Sequence, residues 1–70
     1  MMPEMAPGGT GHRTLGEICK LYRVDPQRVL AGLQSQGLKV DLDQKLKDIA
    51  VANSMDPHGV YAAIYALVQE

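Results

Sequence analysis

The sequence predicts an all-α fold: a compact four-helix domain made of two tandem helix-turn-helix hairpins related by an approximate internal twofold axis. Three observations predict it. Leu15, Ile18, Cys19, Val24, Asp25, Pro26, Val29, Ala31 and Leu33 return 31 residues later as Leu46, Ile49, Ala50, Met55, Asp56, Pro57, Val60, Ala62 and Ile64. Within each copy the apolar residues fall at i, i+3 and i+4, break at an Asp-Pro pair and resume the same period, which is the pattern of two short helices sharing one buried stripe. Each copy alone would leave that stripe in water, and two copies bury it most simply against each other.

Residues 1–13 hold Pro3, Pro7, Gly8, Gly9 and Gly11 with little that is apolar beyond methionine. Such a composition does not repay the entropy of ordering, so a flexible N-terminal arm is expected there. One helical domain follows over 14–70, with repeat one at 14–37 and repeat two at 41–69. Thr14 and Glu17 have the spacing of a capping box, and Leu15, Ile18, Cys19 and Tyr22 form the buried side of the first helix. Asp25 is a good N-cap and Pro26 suits the first helical position, so a second helix is expected to run to about Ser35, ending before Gly37.

Leu38, Lys39 and Val40 read as a short extended connection. Asp41 with Gln44, or Asp43 alone, is expected to cap helix three, whose apolar face is Leu42, Leu46, Ile49 and Ala50. Its end falls near Asn53, a residue that tolerates the left-handed conformation of a tight turn. Asp56 and Pro57 repeat the cap-and-proline start. The last helix then carries Val60, Tyr61, Ile64, Tyr65, Leu67 and Val68, an apolar arc too wide for one contact.

Composition narrows the function. The chain has 70 residues, so it buries a smaller share of its surface than a domain of ordinary size and has little room for a deep active site. Phe and Trp are absent and there is one Cys, which leaves aliphatic side chains, Met and Tyr to hold the fold. A lone thiol and the lack of a secretory leader or a membrane-length apolar run point to a cytoplasmic protein.

Cys19 stands where a helix-turn-helix takes a small residue, and its counterpart is Ala50, so it reads as a packing residue rather than a nucleophile. His12 and His58 lack the further ligands a metal site needs. Neither catalysis, metal nor cofactor is expected.

Gly9-Thr10-Gly11-His12-Arg13-Thr14-Leu15 resembles the Gly-x-Gly-x-Lys/Arg-Thr-Leu opening of a small bacterial helical domain often found after the membrane helices of cytochrome-b-like proteins. The likeness continues through Leu33, Gly37-Leu38-Lys39-Val40 and Leu46-Lys47-Asp48-Ile49-Ala50 and spans nearly all of 9–68. That family usually shows Thr before the second repeat's leucine, where this chain has Lys45. The resemblance implies a prokaryotic accessory or interaction module, in this case the soluble tail of a membrane assembly or a free-standing relative.

Two kinds of partner follow. The first is another protein or a second copy, met through Tyr61, Tyr65 and Val68, because tyrosines one turn apart make an amphipathic contact patch. The alternative is that both tyrosines simply cover the edge of a small core. The second kind is DNA, since each copy has helix-turn-helix spacing. Arg13, Lys20, Arg23, Gln27, Arg28 and Gln34 of the basic first hairpin would then meet the nucleic acid. From His12 to Gly37 these bases against Glu17 and Asp25 give +2, while the whole chain is at −1. DNA binding leans on phosphate neutralisation, so an overall negative chain disfavours it and a protein partner is the first reading.

Overall fold

The computed structural model describes residues 1–69. Four α-helices make up the domain: α1 (Leu15–Leu21), α2 (Pro26–Ser35), α3 (Leu46–Ala52) and α4 (Pro57–Val68), preceded by a short 3-10 turn at Thr10–His12. The described residues contain an isolated antiparallel bridge, Thr14 with Lys45, and no strand. Helix α1 packs on α2, α3 on α4, and α2 against α4. The core is Leu15, Ile18, Cys19, Val29, Leu33, Leu46, Ile49, Ala50, Val60 and Ile64, each nearly or fully excluded from solvent, with Met2 and Tyr61 added at its edge.

Local chemistry sets the helix starts. Thr14 and Glu17 form a reciprocal capping box: the Thr14 N–H donates to Glu17 Oε1 at 2.8 Å, and the Glu17 N–H donates to Thr14 Oγ1 at 3.1 Å. These bonds favour the charged carboxylate and hold the Glu17 pKa below its ordinary value. Asp25 and Asp56 each accept the N–H two residues on, from Gln27 at 3.0 Å and His58 at 2.8 Å, with a proline in the first helical position of both helices. Gly37, at φ 88, follows the end of α2 as its spacing predicts.

Backbone features recur at the 31-residue spacing of the sequence pattern. Arg23 and Ser54 take the left-handed conformation at φ 56 and 54. Val24 donates to the Cys19 carbonyl at 3.0 Å, and Met55 to that of Ala50 at 2.8 Å. The first helical N–H groups have no partner within their own helices. Leu15 N–H therefore donates to the Gln44 carbonyl at 2.9 Å, and Leu46 N–H to that of Arg13 at 3.0 Å, so each half completes the other's helix start.

The structure departs from the sequence reading at three places. Helix α3 begins at Leu46, after an N-cap, Lys45, that makes no side-chain cap bond, so neither Asp41 nor Asp43 caps it. Gln44 N–H instead donates to the Asp41 carbonyl in a turn, and the half-buried Leu42 lies before the helix, with its carbonyl accepting from Gly16 N–H at 2.9 Å.

At the end of α3, Ser54 and not Asn53 takes the positive φ. The Asn53 amide is used otherwise: its Oδ1 accepts from Lys39 N–H, and its Nδ2 donates to the carbonyls of Lys39 and Ile49, at 2.8, 2.8 and 2.7 Å. It thereby pins the connection whose half-buried Leu38 and Val40 pack on the core.

The third place concerns residues 1–13, expected to be a flexible arm and here packed in part against the core. Met2 is 4% exposed and joins the core, Ala6 packs beside it, and the 3-10 turn lies against α3. One long thioether side chain supplies burial that the polar composition of the segment conceals.

Candidate functional site

The sequence put a contact patch on α4 and a basic strip on the first helix pair. The structure sorts those residues by exposure. Tyr61 is 2% exposed and belongs to the core edge, whereas Tyr65 and Val68 are half-buried. Tyr61 cannot serve as an open contact residue, because the N-terminal segment covers it and its hydroxyl donates to the Pro3 carbonyl. Burial, and then the neighbouring phenols of Tyr22 and Tyr65, push its pKa up to about 12. The wide apolar arc of α4 is thus divided: one part meets α2 and α3, and Tyr61 on another is tied to Pro3 of the N-terminal segment.

Arg13, Lys20, Arg23, Gln27, Arg28 and Gln34 are all exposed. They do not form one strip. Arg13 and Lys20 share a shallow depression with Glu17 and Leu21, on the outer side of α1. Arg23 and Arg28 border a different groove, where Val24, Asp25 and Val29 of the α1–α2 turn and α2 meet Leu67 and Val68 at the end of α4. Gln27 and Gln34 line neither. A third cleft runs between the N-terminal loop, Pro7 to Gly11, and the start of α4 at Pro57 and His58.

The Arg23–Arg28 groove brings the two candidate surfaces together, Val68 coming from the α4 patch and the arginines from the basic first hairpin. Its floor is mixed: Val29 is buried, and Val24, Leu67 and Val68 are half-buried. Periodicity alone did not single out Leu67 as a surface residue. It reaches this position because α2 has a glycine facing it: a Cβ built on Gly32 would lie 2.7 Å from Leu67 Cδ2 and 2.8 Å from Cδ1. The position 31 residues on from Gly32 is Ala63, which carries the Cβ that Gly32 lacks.

Other reactive groups are accounted for by packing or by exposure. Cys19 is fully buried, and burial raises its thiol pKa, so the thiolate is disfavoured. His58 is exposed in the first turn of α4, and His12 is exposed in the 3-10 turn. Among the described residues no group of three or more His, Cys, Asp or Glu is placed to hold a metal ion. No described helix is long and apolar enough to cross a membrane. No protein-family model, curated protein or solved structure matches the chain.

Proposed function

We propose that the domain is a non-enzymatic interaction module that binds another protein. The observation that carries this reading is the groove itself, in which exposed arginines flank half-buried aliphatic side chains from two different helices. Protein interfaces favour an apolar centre with an arginine-bearing rim, and this groove has that make-up on a small scale. A second copy of the chain is included among the proteins that would fit.

The 31-residue recurrence of caps, positive-φ turns and crossed helix starts supports an origin as two tandem helix-turn-helix hairpins with approximate twofold symmetry. In that reading the scaffold is the duplicated part, and function resides where the halves differ. The resemblance to a domain found beside bacterial cytochrome-b-like membrane helices supports a setting as the cytosolic tail of a membrane assembly.

DNA binding is the second reading. It is favoured by helix-turn-helix spacing and weakened by the separation of Arg13 and Lys20 from Arg23 and Arg28 and by Glu17 and Asp25 among them.

A photo-cross-linking residue in place of Tyr65, one turn from Val68, tests the reading in the native cell. A discrete protein adduct that disappears on adding Val68→Asp is the expected result. Adducts to nucleic acid, or no adduct at all, would remove the proposal.

A further inference from the structure

The groove between the α1–α2 turn and the end of α4 carries two arginines that the fold does not require. Arg23 occupies a positive-φ position, and its counterpart in the second half, Ser54, holds the same turn at φ 54 against 56. Arg28 lies in the first turn of α2, and the residue 31 positions on is Gly59. The same turn thus forms with serine, and the same helix position is held by glycine, 31 residues on. A long cationic side chain in the left-handed region is also an uncommon choice, since Gly and Asn are the residues that take it most readily. The guanidinium groups are additions to the scaffold, and only one half of the molecule has them.

Between them lie Val24, Leu67 and Val68, open enough to be touched, above a buried Val29. Asp25 is also at the rim, but its carboxylate accepts the Gln27 N–H at 3.0 Å and faces the positive end of α2. Among the described residues the groove thus presents two exposed arginines around an aliphatic floor, with Asp25 as its carboxylate and that carboxylate engaged in helix capping.

We propose that this groove binds an acidic peptide segment of a partner protein, in which an aliphatic side chain sits beside glutamate or aspartate. This rests on the protein-binding reading above. The aliphatic residue covers Val24, Leu67 and Val68, and the carboxylates pair with Arg23 and Arg28, whose planar guanidinium groups suit two-point hydrogen bonding to a carboxylate. A purely apolar partner would bury the two guanidinium groups without compensation. A nucleic-acid backbone would satisfy the arginines and leave the aliphatic floor uncovered.

The test is an amide-resolved NMR titration of the full chain with an acetylated, amidated five-residue peptide of alternating glutamate and leucine. Saturable shifts at Arg23, Val24, Arg28, Leu67 and Val68 are expected. Peptides with lysine for glutamate, or serine for leucine, should bind about tenfold more weakly or worse. Arg28→Glu should weaken the glutamate–leucine peptide by at least roughly the same factor. Arg23→Gly, which suits the positive φ, should weaken binding while keeping the helical spectrum, and Lys20→Glu, outside the groove, should leave affinity unchanged.

Equal binding of the lysine peptide, or shifts confined to other surfaces, would overturn the inference. So would a random-sequence DNA duplex that shifts the same amides more tightly than the peptide, with affinity falling steeply in salt. A protein adduct from the Tyr65 cross-linker combined with a groove that ignores the peptide refutes the acidic segment alone; absence of any adduct refutes the broader reading.

Discussion

Replacing Gly32 by alanine separates the two forces that meet at the α2–α4 contact. Gly32 is inside α2, where alanine is favoured over glycine by about 1 kcal/mol through backbone entropy and propensity. The new methyl would stand 2.7 and 2.8 Å from the two terminal carbons of Leu67 and 3.3 Å from its Cγ. Real carbon contacts lie near about 3.5–4 Å, so the Leu67 side chain must rotate or α4 must withdraw, and overpacking of this kind typically costs about 1–3 kcal/mol.

The steric term exceeds the propensity term, so Gly32→Ala is expected to destabilise by up to about 2 kcal/mol. The sign should invert in a Leu67→Ala background. With the obstructing branch gone, the same substitution is expected to stabilise by about 0.5–1 kcal/mol. Urea unfolding followed by circular dichroism, run on the four proteins of the cycle, measures a coupling expected at about 1–3 kcal/mol. If Gly32→Ala stabilises both backgrounds equally, the close approach of α4 to α2 is not present in solution and the floor of the groove is misplaced.

Further outcomes follow from the caps, the clamp and the buried phenol. Asp25→Ala and Asp56→Ala should each cost about 1 kcal/mol in chemical unfolding, as loss of one N-cap acceptor does elsewhere, and the two losses should add. Asn53→Ala removes all three bonds to Lys39 and Ile49 and should destabilise by about 1–3 kcal/mol, with Lys39 N–H losing its protection from hydrogen exchange. Tyr61 has a folded pKa of about 12 against an ordinary 10, so the unfolded chain releases that proton first. Stability should hold below pH 10 and fall between about pH 10 and 12, and Tyr61→Phe should flatten that part of the profile. Cys19 should resist thiol reagents until the chain unfolds, because its sulfur is buried and its thiolate disfavoured.

Much of the scaffold was legible in the sequence for reasons that act within a few residues. Asp25-Pro26 and Asp56-Pro57 announce helix starts because cap and proline satisfy or remove N–H donors locally, and Thr14 with Glu17 does the same. The start of α3 was not legible, because the Leu46 N–H is satisfied by the Arg13 carbonyl, a partner 33 positions earlier that no local pattern reveals. Asn53 was read for its backbone tolerance, while its amide acts across 14 positions on Lys39.

The site was half legible. Charge counting found Arg23 and Arg28, and the breadth of the α4 apolar arc pointed to surplus hydrophobic surface near Tyr65 and Val68. It did not reveal that Met2 is buried or that the Pro3 carbonyl takes the Tyr61 hydroxyl, because a single buried methionine in a Gly- and Pro-rich segment carries no periodicity. Nor did it reveal that the missing side chain of Gly32 brings Leu67 beside the arginines.

Whether the two halves meet at their helix starts is the question on which the rest depends most directly. Thr14 and Lys45 form the narrow, non-hydrogen-bonded pair of an antiparallel bridge, whose α-carbons approach to about 4.5 Å. Solution NMR should therefore show a strong α-proton to α-proton cross-peak between Thr14 and Lys45, together with slowly exchanging amides at Leu15 and Leu46. Absence of that cross-peak with fast exchange at both leucines would contradict the joined halves and the fold built on them.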